Sequence, residues 1–249
     1  MSDFLENPLF KERIENLEKL LGYKFKNPVL LISSITHSSF VAEYDKGLQD
    51  YEVLEFLGDA VLSLIVSEVL IKEFPKAKEG ELSQIRSAVI SEAYLSKLAK
   101  KIDLGKFVLL SKGEIAQKGM ERESLLCDVF EAIFGAIYVD AEYHIKQPRN
   151  VFNRLFKDML IEDIKTENIP RDYKSLLQIY TQRYLGITPK YKLVSAVGPE
   201  HSKTFTMKCV VDEKVTTKGK GKSKKEAESA AAKKAYMKLQ KKKPEESKD

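Results

Sequence analysis

Cysteine is almost missing from this 249-residue chain. The two present, Cys127 and Cys209, lie far apart with no CxxC neighbour, so neither a disulfide framework nor a zinc site is suggested, and a reducing cytoplasm suits the chain. No stretch approaches the roughly 18 uninterrupted apolar residues of a membrane span, so no membrane partner is expected. The opening residues, Met1 to Phe10, carry acids and a proline in place of a basic start and an apolar run, so no signal peptide is expected either. No internal repeat is visible. Apolar residues nevertheless make up 43% of the chain, enough for a buried core, and the length suits two modest domains or one large one.

The net charge of +5 conceals a division. Residues 171–249 hold 20 Lys and Arg against 9 Asp and Glu, a balance of +11, which leaves 22 against 28, or −6, for residues 1–170. Such asymmetry implies two tasks, with the basic part meeting a polyanion. A solvated lysine-rich tail accounts for Lys241 to Asp249 but not for the lysines interleaved with apolar residues before it.

From Leu17 to about Ile164 the pattern is helical, with apolar residues spaced by three and four in Leu54–Leu70, Leu82–Ala99 and Ser124–Ala141. Asn168-Ile169-Pro170 breaks the pattern, and the acidic, mobile-looking stretch Glu162–Glu167 before it reads as a linker. Beyond it Asp172 can cap a helix running to Tyr184. Tyr191, Leu193, Ser195 and Val197 alternate as a strand does, as do Phe205, Met207, Cys209 and Val211, and Lys214–Lys218 fits a third strand. Ser223-Lys224-Lys225-Glu226 is a capping box opening a last helix, with Ala227, Ala231, Ala235 and Leu239 on one face. The expected fold is α+β multidomain: an all-α unit over 1–163, a linker over 164–170, a small α-β-β-β-α unit over 171–240 and a charged, disordered tail over 241–249.

The chemistry concentrates in Tyr51-Glu52-Val53-Leu54-Glu55-Phe56-Leu57-Gly58-Asp59. On a helix Glu52, Glu55 and Asp59 share one face, the last two about 6 Å apart along the axis. Their large apolar neighbours suggest that the acids point into a partly buried region, where unpaired carboxylates are costly and a cluster of them calls for a cation. Asp128 and Glu131 repeat the spacing in a second apolar run, and Glu79-Gly80-Glu81 adds acid at a helix start. A ligand set made of carboxylate oxygens favours Mg2+, with Mn2+ able to substitute. One or two such ions suit phosphodiester hydrolysis. The plainer reading, that these acids are solvated or ion-paired, fits a single helical Glu better than two apolar helices each carrying inward acids. His37 titrates near neutral pH and could serve as a base, but its place after an apolar stretch fits capping or packing better.

The run from Glu52 to Leu62 resembles the ribonuclease III signature, Glu-Arg-Leu-Glu-Phe-Leu-Gly-Asp, with Val53 in place of the usual arginine. Leu21-Gly22-Tyr23, Thr36-His37-Ser38-Ser39-Phe40, Glu79-Gly80 and Asp128-Val129-Phe130-Glu131-Ala132 extend the resemblance in order along the chain. It implies that Glu55, Asp59, Asp128 and Glu131 form a metal-binding and catalytic quartet, with Glu55, Asp128 and Glu131 on the metal. Glu131 would be a direct ligand, Asp59 would act through the water network, and Glu52 and Glu79 would be supporting acids. The second unit resembles a double-stranded RNA-binding domain through Gly198-Pro199-Glu200-His201 and through Lys222, Lys224 and Lys225 with Glu226-Ala227-Glu228. A capped helix start offers free N–H groups and a positive dipole end, so three lysines there suit phosphates. By this resemblance Gln178 and the loop at His201 probe the minor groove.

Together these resemblances imply a metal-dependent endoribonuclease acting on double-stranded RNA as a cytoplasmic homodimer. It would leave 5′-phosphate and 3′-hydroxyl ends and process ribosomal and messenger RNA precursors. Two alternatives are a non-cleaving RNA-binding protein, which loss of a quartet acid would favour, and a helical DNA nuclease, against which the second unit argues.

Overall fold

The computed structural model describes residues 8–44, 47–169, 172–199, 203–212 and 215–240. The chain divides into two compact units, Met1–Pro170 and Arg171–Asp249, each with its own apolar core. Residues 241–249, expected as a tail, lie outside the described residues.

The described part of the first unit is helical: α1 (Pro8–Leu21), α2 (Pro28–Ser34), α3 (Ser38–Tyr44), α4 (Glu52–Glu73), α5 (Glu79–Val89), α6 (Glu92–Lys101), α7 (Lys112–Ala116), α8 (Glu123–Asp140) and α9 (Lys146–Lys165). Helix α8 is apolar nearly all round, which makes it the buried axis on which α2, α4, α6 and α9 pack. The tightest crossing is with α4. A Cβ on Gly58 would lie 1.8 Å from the Glu131 carbonyl oxygen, and one on Gly135 would lie 2.1 Å from that of Leu54. Each helix thus offers a glycine to the other's backbone, and no larger residue fits at either point.

Two sequence expectations are corrected here. The single run Leu82–Ala99 is two helices, broken at Ile90-Ser91. The stretch expected to begin a linker is anchored: α9 runs to Lys165, and Ile164 and Ile169 are buried in the first core. Buried Asp163 accepts hydrogen bonds from Tyr94 Oη (2.9 Å), Lys97 Nζ (2.7 Å) and Asn168 Nδ2 (2.9 Å). Acid content suggested mobility at Glu162–Glu167, but three donors satisfy this carboxylate.

In the second unit α10 (Tyr173–Leu185) starts at Asp172, whose side chain accepts from the backbone N–H of Lys174 and Ser175. The strands β1 (Lys190–Val197), β2 (Thr204–Val210) and β3 (Thr216–Gly221) form an antiparallel sheet in that order, followed by α11 (Lys224–Gln240). Ser223 Oγ accepts from Glu226 N–H at 3.1 Å, while the Glu226 carboxylate accepts from Lys222 N–H at 2.7 Å, one residue earlier than the usual capping-box partner. Ala227, Ala231 and Ala235 are fully buried, and a Cβ on Gly219 would lie 2.2 Å from the Ala231 nitrogen, so helix and sheet meet almost backbone to backbone.

Two strand expectations shift. The alternation of β1 is interrupted by an irregularity between Leu193 and Ser195, and Leu193 and Val197 are exposed instead of both facing the core. The third strand begins at Thr216 and runs to Gly221, later than Lys214–Lys218.

Candidate functional site

The α4–α8 crossing builds the acidic site. With Gly58 seated on the Glu131 carbonyl, the helices lie close enough for acids on each to face the same space. Glu131, only 9% exposed, is the buried member, and its carboxyl is pushed up to about 8. Burial is the main cause, followed by the negative charges of Asp59, Glu55 and Asp128, with a hydrogen bond from Cys127 offsetting a little. Glu55 is raised by burial and by Asp128 and Glu52. Asp128 is raised by burial too, opposed by the Tyr51 hydroxyl, which donates to its Oδ2 at 3.4 Å. Glu131 is therefore within electrostatic reach of each of the other three quartet acids, and Glu55 of Asp128.

The picture departs from the sequence in several places. Glu131 is buried and Glu55 and Asp128 are half-buried, but Glu52 and Asp59 are exposed, so only some of the acids enter the partly buried region the sequence suggested. Glu52 acts on Glu55. Glu79, at the exposed start of α5, accepts from Ser83 and is not among the main groups that perturb the quartet. His37 caps α3: its Nδ1 accepts the Ser39 N–H at 3.1 Å and contacts Ser39 Oγ at 2.8 Å. Its ring also tilts against Tyr51, 5.8 Å away, which places it behind the residue that holds Asp128.

Sequence reasoning missed Tyr51 and Glu92, the latter at the start of α6 and raising the proton affinity of Asp128. Neither has a local signal, because each reaches Asp128 from a distant part of the chain. An exposed apolar stripe on α4 was also missed: Val53 is 78% exposed, Phe56 82%, Leu64 49% and Ile71 61%.

Gln178 is exposed on α10, and Lys222, Lys224 and Lys225 are exposed around the start of α11, while His201 lies outside the described residues. Among the described residues no helix is long and apolar enough to cross a membrane.

Comparison with known proteins decides the family. A model described as Ribonuclease-III-like matches residues 27–159, and one described as Double-stranded RNA binding motif matches residues 173–239. The chain is 41% identical over 224 residues to Ribonuclease 3 of a Nitratiruptor species, covering 90% of this chain and 96% of that one. It belongs to the ribonuclease III family. It is also 44% identical over 230 residues to Ribonuclease 3 of Desulforamulus reducens, covering 92% of each. A solved nuclease domain of ribonuclease III from Campylobacter jejuni matches with a TM-score of 0.53 at 42% identity, covering 58% of this chain and 96% of that one. The chain is accordingly an endoribonuclease of this family, with a double-stranded RNA-binding motif as its second unit.

Proposed function

We propose that this ribonuclease III family member cuts double-stranded RNA at the α4–α8 crossing, using Mg2+, to leave 5′-phosphate and 3′-hydroxyl ends. The observation that carries this reading is the raised proton affinity of Glu131, buried against Asp59, Glu55 and Asp128. A carboxylate buried beside three other acids gains from a divalent cation, and the oxygen donors of these acids match Mg2+ or Mn2+. Among the described residues no three His, Cys, Asp or Glu side chains form a ready-made metal cage. The donor chemistry and charge fit the ion, and the side chains have still to close on it.

Glu55, Asp128 and Glu131 would hold the ion, with Tyr51 steadying Asp128 through its hydroxyl. When bound, the cation supplies Lewis acidity toward the phosphodiester and lowers the pKa of water. Exposed Asp59 would orient that water, and Glu52 and Glu79 would support from the rim. The deprotonated form of Glu131 is the one that would hold a cation, so with its raised pKa this carboxyl would have to give up a proton before doing so near neutral pH.

Lys222, Lys224 and Lys225 would grip phosphates, while Gln178 and the loop at His201 would enter the minor groove. The α4 stripe of Val53, Phe56, Leu64 and Ile71 suits a second copy of the chain. The Campylobacter jejuni nuclease-domain structure is described as flexible in a region involved in dimer formation. An isologous pair would set two sites against two antiparallel strands. Cytoplasmic processing of ribosomal and messenger RNA precursors is the biological use we infer.

Incubating the protein with long duplex RNA, single-stranded RNA and duplex DNA, each with Mg2+ or with chelator, tests the reading. Cutting of duplex RNA alone, and only with the cation, is expected. Cutting of DNA, or cutting that persists in chelator, would overturn it.

A further inference from the structure

The three strands of the second unit contain five lysines and no acid: Lys190, Lys192, Lys208, Lys218 and Lys220. Register places all five on one face. Lys192 pairs with Lys208, and Lys208 with Lys218, so three lysines stand abreast across three adjacent strands. Lys190 lies in the row of Val210 and Thr216, and Lys220 in the row of Thr206 and Ser195. The intervening residues face α11: Thr217 donates to the Ala231 carbonyl, and Gly219 and Gly221 lie against Ala231 and Ala227. The lysine face is therefore the one turned away from α11. It measures about 10 Å across, two strand spacings, by about 13 Å along the strands.

Like charges placed opposite one another on neighbouring strands repel. Among the described residues none of the five lysines is in an ion pair. Lysines that guard a sheet against edge-to-edge association belong on edge strands, whereas Lys208 sits at the centre of the row, on β2. A repulsive row maintained through the middle strand fits a face that meets a polyanion.

We propose that this face binds the phosphate backbone of a second stretch of RNA, separate from the lysines at the start of α11. The inference rests on the reading that the chain acts on RNA. Evenly spaced positive charge with no aromatic among the five lysines suits backbone contact without base readout.

The test is lysine footprinting on the full-length protein: brief acetylation with and without excess duplex RNA in chelator, read by mass spectrometry. Lys192, Lys208 and Lys218 should be at least threefold less modified with RNA. That protection should persist in a Lys222→Gln/Lys224→Gln/Lys225→Gln variant. In a Lys192→Gln/Lys208→Gln/Lys218→Gln variant the slope of log K against log salt should fall by about 2–3. No protection on the sheet while Lys222, Lys224 and Lys225 are protected would overturn this inference alone. Protection nowhere would count against RNA binding as a whole. Strand lysines already shielded without RNA would show that an acidic protein surface occupies the face, and would also overturn it.

Discussion

Glu131 holds its proton to about pH 8 in the cation-free fold, whereas a glutamate in the unfolded chain gives it up near 4.5. A folded pKa above the unfolded one means that this carboxyl's contribution to stability is greatest below pH 4.5 and is lost as pH rises toward 8. Glu131→Gln keeps the shape and removes the charge. In chelator at pH 8 it should unfold later than wild type, by up to about 4 kcal/mol, and the gap should shrink toward pH 5. Thermal melts at several pH values check this. A variant no more stable than wild type at pH 8 would show that ionising Glu131 does not carry the cost that its burial and its acidic neighbours are said to impose. The helical spacing of Glu55 and Asp59 and of Asp128 and Glu131 was legible in the sequence because it is local. The Tyr51 and Glu92 contributions were not, because they depend on which helices cross.

At the scale of elements, the site exists because α4 and α8 touch through glycine. Gly58→Ala would place a methyl 1.8 Å from the Glu131 carbonyl, so the helices must part. We expect a loss of about 1–3 kcal/mol in the first unit, as for overpacked cores, and cleavage lost even at temperatures where the variant stays folded. A melting point within a degree or two of wild type would mean that the crossing is looser than described. The helices themselves and the α-β-β-β-α order follow from periodicity and caps. Periodicity could not reveal the β1 irregularity after Leu193, which moves side chains without changing residue types. Nor could acidity reveal that Asp163 is itself buried and meets three hydrogen-bond donors.

For the whole molecule, charge divides the work: −6 over residues 1–170 and +11 over residues 171–249. The sequence showed this division directly. It did not show the exposed stripe on α4, because apolar residues in a helix read as core until a structure leaves them uncovered. If a second copy covers that stripe, Phe56→Glu should convert the protein to a monomer in light scattering, with cleavage of both strands in one encounter lost. A variant that stays dimeric would place the contact elsewhere. The central claim is that acids at the α4–α8 crossing perform the cut while the basic unit holds the RNA, and Glu131→Ala separates the two tasks most directly. With labelled duplex RNA in Mg2+, cleavage should fall by at least 100-fold, while the dissociation constant measured in parallel stays within about twofold. Cutting at near wild-type rates, or loss of binding together with cutting in a folded variant, would contradict the account.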